Sequence, residues 1–246
     1  MTDPVFDMAD LFGEDYLYFY ADRTGDERSD ADTELIWRLL ELEPGMEVLD
    51  LACGHGRIAN RLAARGCHVT GLDATPLFLQ RARGDAEAWG VSVDYHHGDV
   101  RDLPWASRFD RVVNWFTSFG YFDDSGNRKV ISEVARVLRP GGEFILELNN
   151  LPWLLRNLQS SVVMEREGNL LVDRNEFDPL TSRVLSRRAV IRDGRHRDLR
   201  FFTRTFGFPE LRQWLHEAGF STVAAYGDGG DSLTVHSRRL ITVSTH

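Results

Sequence analysis

An acid and two glycines follow one another closely in the stretch VLDLACGHG, residues 48–56. Gly54, Gly56 and Ala59 have the spacing G-x-G-x-x-A of a nucleotide-binding loop, in which glycines let the backbone approach a ligand closely. Asp73 stands at the end of the next apolar run, where a carboxylate can accept hydrogen bonds from ribose hydroxyls. The pattern therefore predicts a nucleotide site.

Two further acids bear on which nucleotide would bind. Asp50 precedes the glycines at the end of its apolar run, where its charge would oppose the pyrophosphate of a nicotinamide dinucleotide. The same charge suits a ligand that carries an ammonium or a sulfonium. Asp99 follows Gly98 at the end of a third apolar run and can accept from the exocyclic amine of an adenine. A nicotinamide-dependent oxidoreductase therefore stays an alternative, but not the favoured one.

The elements that position these acids are short apolar runs separated by segments of helical periodicity. The runs span residues 46–51, 67–72, 91–96, 109–116 and 143–148, and two closing strands lie in STVAAYG and RRLITVS. Such alternation predicts an α/β fold with a mostly parallel sheet of seven strands and ligands at its carboxyl edge. Ser29 to Asp32 predicts a capping box at one helix start, and Thr75-Pro76 predicts another.

The alternation of strands and helices ends after the fifth predicted strand. Residues 160–206 show short alternating runs typical of antiparallel strands, with turns at Asp178-Pro179 and Asp193-Gly194. We expect one domain, residues 1–246, in four parts. The parts are an aromatic and helical cap (1–45), a cofactor-binding half (46–151), a β-rich lid insertion (152–207), and a closing helix with strands (208–246).

Composition narrows the class of partner. The net charge of −9 disfavours nucleic acid, whose phosphates need clustered cations. No apolar run approaches the roughly 18 residues that a membrane span requires. The acidic first residues lack a secretory n-region, which predicts a cytoplasmic location. The spacing of Cys53 and Cys67 indicates no metal site.

VLDLACGHG, the acid Asp73, GDVRDLP (98–104) and VLRPGGEFILE (137–147) together resemble the class I S-adenosylmethionine-dependent methyltransferases. FTSFGYF (116–122) is similar to a bacterial small-molecule branch of that family with a lid insertion. The resemblance implies a Rossmann-like doubly wound sheet with an antiparallel, β-rich lid insertion after the fifth strand. It also implies S-adenosylmethionine as cofactor and S-adenosylhomocysteine as product.

The resemblance also implies roles for particular residues. Asp50 would order the loop, and Asp73 would hold the ribose hydroxyls. Most of the other implied contacts are to the two ends of the cofactor. Ala52, Gly54 and Gly56 would line its methionine part, Asn114 and Trp115 would flank its amino-acid moiety, Ala74 would lie beside the adenine, and Asp99 with the Val100 backbone would read the adenine edge.

Aromatic residues would enclose the reacting methyl group, since aromatic faces attract a cationic centre. We expect Tyr16 to contact the cofactor, and Tyr20, Phe119 and Tyr121 to form the catalytic walls. No general base stands out, although Glu147 and Asn149 end the fifth strand and could face the substrate. This favours N-methylation over O-methylation.

The expected substrate is a small molecule, and the arginine-rich composition is consistent with natural-product biosynthesis in a bacterium of high GC content. A homo-oligomer stays open. So does a non-catalytic protein that binds S-adenosylmethionine, because intact cofactor residues predict binding in both cases.

Replacing Asp73 by alanine should weaken cofactor affinity at least roughly tenfold, because the acceptors for two ribose hydroxyls are lost. Calorimetric titration with S-adenosylhomocysteine, with NAD as the control ligand, measures the change. Equal affinity in the variant would show that Asp73 does not hold the ribose.

Overall fold

The structure is a computed structural model that describes residues 8–246. The expected cap at residues 1–45 thus begins in seven residues that lie outside the described part. The strands are β1 (Glu47–Leu51), β2 (His68–Asp73), β3 (Val93–His97), β4 (Phe109–Asn114), β5 (Leu138–Asn149), β6 (Ser161–Arg166), β7 (Asn169–Asp178), β8 (Arg183–Arg192), β9 (Arg195–Arg204), β10 (Thr222–Tyr226) and β11 (Arg239–Thr245). The α-helices are α1 (Met8–Leu11), α2 (Glu14–Tyr20), α3 (Asp26–Leu39), α4 (Ala59–Ala64), α5 (Pro76–Trp89), α6 (Asp124–Val137), α7 (Leu151–Asn157) and α8 (Phe208–Glu217).

The central sheet has seven strands in the order β10-β11-β5-β4-β1-β2-β3. Strand β11 pairs antiparallel with β5 and β10, and the other pairs are parallel. The predicted α/β fold with a mostly parallel sheet of seven strands is confirmed. The strand order reverses direction between β1 and β4, so their carboxyl ends open the crevice where such sheets bind ligands.

Helices cover both faces of this sheet. The buried side chains of α3, α4 and α5 form one apolar cluster with Val48, Val69 and Ile145. The buried side chains of α6 and α8 form another with Phe109 and Phe144. The central parts of β1, β4 and β5 (residues 48–51, 112–114 and 144–148) are buried on both faces, which explains their largely apolar sequence.

One predicted helix start is wrong and the other is confirmed. Helix α3 begins at Asp26, so Ser29 lies inside the helix, and its hydroxyl donates to the Thr24 carbonyl instead of capping. The prediction fails because the helix begins three residues earlier than Ser29, and Ser29 is fully buried within its first turns. Helix α5 does begin at Pro76, whose missing N–H costs nothing in the first turn, although the Thr75 side chain at the N-cap makes no capping hydrogen bond.

The insertion after the fifth strand forms a separate four-stranded antiparallel sheet in the order β6-β7-β8-β9. Both predicted turns are present, and a third turn at Glu167-Gly168 joins β6 to β7. The inner face of this sheet carries a buried ion pair, in which Arg188 Nε lies 2.8 Å from Asp173 Oδ1. Arg188 Nη2 also donates to the hydroxyl of Tyr20, which ties the insertion to α2.

Across residues 8–246, no helix combines the length and apolar character needed to cross a bilayer.

Gly56 has no room for a side chain. Its φ is +79°, and an added Cβ would lie 2.2 Å from the Tyr95 hydroxyl oxygen. Gly84 is exposed in α5, and an added Cβ would have nothing within 4 Å.

Gly56→Ala should therefore lower the free energy of unfolding by about 2 kcal/mol, through overpacking and an unfavourable φ. The matched control Gly84→Ala should raise it by about 0.5–1 kcal/mol, because alanine favours the helix. Urea denaturation of both variants measures the difference. A Gly56→Ala protein as stable as the parent would show that the loop can shift.

Candidate cofactor and substrate site

The loop after β1 is held open by a carboxylate on β2. Asp73 Oδ2 accepts from the Gly54 N–H at 2.8 Å, and Asp73 Oδ1 accepts from the Thr75 N–H at 2.8 Å. Ala52 and Gly54 both have positive φ, 59° and 56°. The loop backbone is thereby turned away from the strand, and the sheet edge beneath it stays accessible.

A cavity opens between this loop and the carboxyl ends of β1, β2 and β4. Most of the residues predicted to bind the cofactor line it. They are Tyr16, Asp50, Ala52, Gly54, Asp73, Ala74, Asp99, Val100 and Trp115, together with Tyr121 from the predicted catalytic group. We call this space the first cavity. The carboxylate of Asp99 is paired there with Arg101, at 2.6 Å from Nη2.

Three predicted site residues lie elsewhere. Gly56 is not on the cavity wall, and it serves the close packing of the loop against Tyr95. Asn114 is buried and donates to the Leu51 carbonyl at 2.8 Å, which joins the ends of β4 and β1. Phe119 packs in the core with its ring 5.4 Å from that of Phe206. None of the three lines either cavity, and each supports the site from behind; their contact with a bound cofactor or substrate stays a prediction.

Three polar atoms on the first cavity are buried and have no hydrogen-bond partner among residues 8–246. They are Asp50 Oδ2, Arg57 Nη2 and Trp115 Nε1. An unpaired buried polar group is costly, about 1–3 kcal/mol, so such groups call for a ligand that completes them. One acceptor and two donors together complement a zwitterion, whose ammonium and carboxylate would take them respectively.

The protonation of Asp50 is sensitive to what occupies this cavity. Burial raises its pKa to about 7, against the opposing effects of Arg57 and of the Ala59 amide. A bound ammonium would favour the ionised carboxylate. His55, on the same wall, has a pKa lowered to about 4 by burial and by Arg57, and it is neutral at pH 7.

Arg57 is the main residue that sequence reasoning missed. Its Nη1 lies 3.1 Å from Asp32 Oδ2, and its guanidinium lies 4.9 Å from the centre of the Phe116 ring. The sequence did contain one indication of its role: a cationic residue directly follows Gly56, in a stretch whose only other charged residue is the acid Asp50. Its partner Asp32 is on a separate helix, which the spacing could not reveal.

A second cavity, of about 450 Å³, lies between the central sheet, α2 and the insertion sheet. Its walls include Tyr20, Glu147, Asn149 and Arg188. Five residues line both cavities: Phe12, Tyr16, Phe116, Ser118 and Tyr121. We call these five the shared wall.

Aromatic rings form most of the shared wall. The rings of Tyr16 and Tyr20 stack at 4.5 Å, and the ring of Tyr121 meets that of Phe12 edge-on at 5.3 Å. Burial raises the pKa of Tyr121 to about 12, and it also raises the pKa of Tyr16. Both phenols are therefore neutral near pH 7 and present uncharged faces to a cation.

The fold and the first cavity together define a class. A Rossmann-like sheet carries, on one cavity, the acid Asp73 that we expect to hold ribose, the acid Asp99 that we expect to lie at the adenine, and unpaired polar atoms that could complement an amino-acid zwitterion. S-adenosylmethionine contains all three parts, and the residues present fit it.

Comparison with known proteins agrees with this class. Residues 48–142 match a family model described as a methyltransferase domain. A glycine/sarcosine N-methyltransferase of Parasynechococcus marenigrum is 27% identical over 230 residues, which cover 89% of this chain and 80% of that protein. The match over residues 48–142 and these similarities support an S-adenosylmethionine-dependent methyltransferase of class I, with S-adenosylmethionine as the cofactor.

Solved structures show the same fold. A S-adenosylmethionine-dependent methyltransferase from Clostridium acetobutylicum superposes with a TM-score of 0.79 at 18% identity, covering 97% of this chain and 99% of that one. A sugar N-methyltransferase from a Streptoalloteichus species superposes with a TM-score of 0.72 at 23% identity, covering 100% of this chain and 97% of that one.

Affinity for S-adenosylhomocysteine should rise with pH up to about 7, because the ligand's ammonium pairs with ionised Asp50 and protonation competes below its pKa of about 7. The loss should approach tenfold for each pH unit below that pKa. Calorimetric titrations from roughly pH 5 to pH 9 measure the dependence. Asp50→Asn should bind more weakly and lose this slope. An unchanged slope in the variant would assign the titration to another group.

Proposed function

We propose that the protein transfers the methyl group of S-adenosylmethionine to the amine nitrogen of a small hydroxylated molecule, such as an amino sugar. The observation that carries the proposal is the pair of adjoining cavities with a shared aromatic wall. A cofactor in the first cavity and a substrate in the second would meet across Phe12, Tyr16 and Tyr121.

The lining of the second cavity supports a polar substrate. Amide and hydroxyl side chains line it at Asn149, Asn175, Thr203 and Thr205, of which Asn175 and Thr205 also hydrogen-bond within the protein, and Phe201 adds an apolar face. Such a mixture suits a ring that carries hydroxyl groups, each of which needs a hydrogen-bond partner when buried. Two of the compared proteins are named as N-methyltransferases, one for glycine and sarcosine and one for a sugar.

In this reaction the protein would mainly align the methyl group of the cofactor with the substrate amine. The cofactor supplies a methyl group on a sulfonium, which is already activated. Asp73 would hold the ribose, and Asp50, Arg57 and Trp115 the amino-acid end, so that the methyl group faces the shared wall. The insertion sheet would act as a lid that excludes water, and Tyr20 would form part of the substrate wall. Such positioning is itself a large source of rate enhancement.

A non-catalytic binding protein would need only the first cavity, so the presence of a second cavity beside it favours an enzyme. O-methylation is the second choice: it needs a base aligned with one particular hydroxyl, whereas an amine has only to be neutral and close to the methyl group. The proposal extends by analogy to natural-product biosynthesis.

A panel of matched acceptors tests the proposed function. With labelled S-adenosylmethionine, the protein should methylate amino sugars such as D-glucosamine, and the corresponding alcohol D-glucose should accept at least about 100-fold less label. Glycine and sarcosine serve as smaller amines. Transfer to alcohols but not to amines would reject N-methylation, and transfer to none of a broad panel would favour the binding protein.

A further inference from the structure

Glu147 is an acid buried on the substrate side of the sheet. It lies near the carboxyl end of β5, is 5% exposed, and lines the second cavity together with Asn149, two residues further on. Residues two apart on a strand face the same side. The alignment of the cofactor described above does not use Glu147, and the first cavity includes neither residue.

The position of Glu147 is set by one backbone contact at the shared wall. Its Oε2 accepts from the Thr117 N–H at 2.9 Å. Thr117 and the preceding Phe116 have φ values of 54° and 63°, which are unfavourable for residues with side chains. Phe116 belongs to the shared wall, which separates the cofactor cavity from the substrate cavity. The backbone amide that holds the Glu147 carboxylate therefore belongs to the residue directly after this wall.

The charges around Glu147 leave it without an ion-pair partner among residues 8–246. Arg239 is paired with Asp32 at 2.9 Å, and Arg188 is paired with Asp173. Burial raises the pKa of Glu147, and the negative charge of Asp32 adds to that effect. Arg239, the Thr117 amide and Arg57 act in the opposite direction and lower the pKa. The other charged or titratable groups on the second cavity are Arg23, Arg28, Asp228, Arg238, Tyr20, Tyr121 and Tyr16.

A buried carboxylate that accepts only one backbone hydrogen bond has capacity for a cation. Two of the cavity's arginines, Arg188 and Arg239, already pair with other carboxylates, and neither forms an ion pair with Glu147. A substrate amine enters from water mostly as an ammonium, which is not a nucleophile until it loses a proton.

We propose that Glu147 is the residue that binds the substrate's ammonium and accepts its proton, which makes this methyltransferase selective for amines. The inference rests on the proposed function. One N–H bond of the ammonium breaks, and its proton moves to Glu147. The freed lone pair forms the new N–C bond as the C–S bond breaks, and the electrons of that bond stay on sulfur. The methylated ammonium leaves, and Glu147 returns its proton to water.

The test uses Glu147→Gln, which keeps an oxygen that can accept from Thr117 and removes only the charge. The matched control is Glu176→Gln, the same change at an exposed residue on the opposite face of β7 from Asn175. Thermal unfolding and S-adenosylhomocysteine binding, equal to those of the parent, verify that both variants fold.

The first readout needs no turnover. With S-adenosylhomocysteine bound, the parent and Glu176→Gln should bind D-glucosamine at least about tenfold more tightly than D-glucose, and Glu147→Gln should lose this preference. Equal binding of the two sugars by the parent, including no detectable binding of either, would overturn the inference. A preference that survives in Glu147→Gln would do the same.

The second readout is the pH dependence of kcat/KM for the amine. Glu147→Gln should lower it at least about 100-fold at pH 7, with the deficit shrinking as the pH approaches the pKa of the amine. A structural role would lower activity equally at every pH. Amine methylation that is unchanged in Glu147→Gln would reject the role of Glu147 and keep the proposed function, whereas methylation of alcohols alone would reject both.

Discussion

The arginines near the carboxyl edge of the sheet need a negative partner, and the carboxylate of Asp32 is the partner of three of them. It is 1% exposed and lies 3.1 Å from Arg57, 3.2 Å from Arg28 and 2.9 Å from Arg239. Burial alone would raise the pKa of Asp32, but the three arginines hold it below its ordinary value. Without them a buried carboxylate would cost several kcal/mol. One side chain on α3 thus connects the loop after β1 to β11.

This pairing of charges also couples the two cavities. Arg57 lines the first cavity, and Arg28 and Arg239 line the second. All three pair with the same carboxylate, Arg239 also contacting Asp228, so the cofactor end and the substrate end of the site share one electrostatic support. Rigid support of this kind is what an alignment mechanism requires, since small displacements of the reacting groups reduce rates strongly.

The site retains groups and conformations that folding alone would disfavour. Asp50 and Arg57 each keep an unpaired buried atom, and Phe116 and Thr117 adopt positive φ. Such features persist where surrounding packing enforces them and where a ligand completes them. Here the strained turn divides the two cavities, and the unpaired atoms face the one that fits the cofactor. Stability and function therefore make opposite demands on the same few residues.

The sequence by itself determined the features that depend on local pattern. Apolar runs and helical periodicity predicted the strands and most of the helices, and the acids at strand ends pointed to the cofactor edge, because side-chain period and strand direction are properties of neighbouring residues. Asp73 could be placed near its loop because the loop follows the strand beside it.

Tertiary structure alone decided which side chains meet across long separations. Asp32 and Arg239 are 207 residues apart, and Tyr20 and Arg188 are 168 apart. It also decided that Phe119 and Asn114 turn into the core while Arg57 and Glu147 face the cavities. Near a strand end or in a loop, the direction of a side chain depends on what packs behind it, and that information lies in distant parts of the chain.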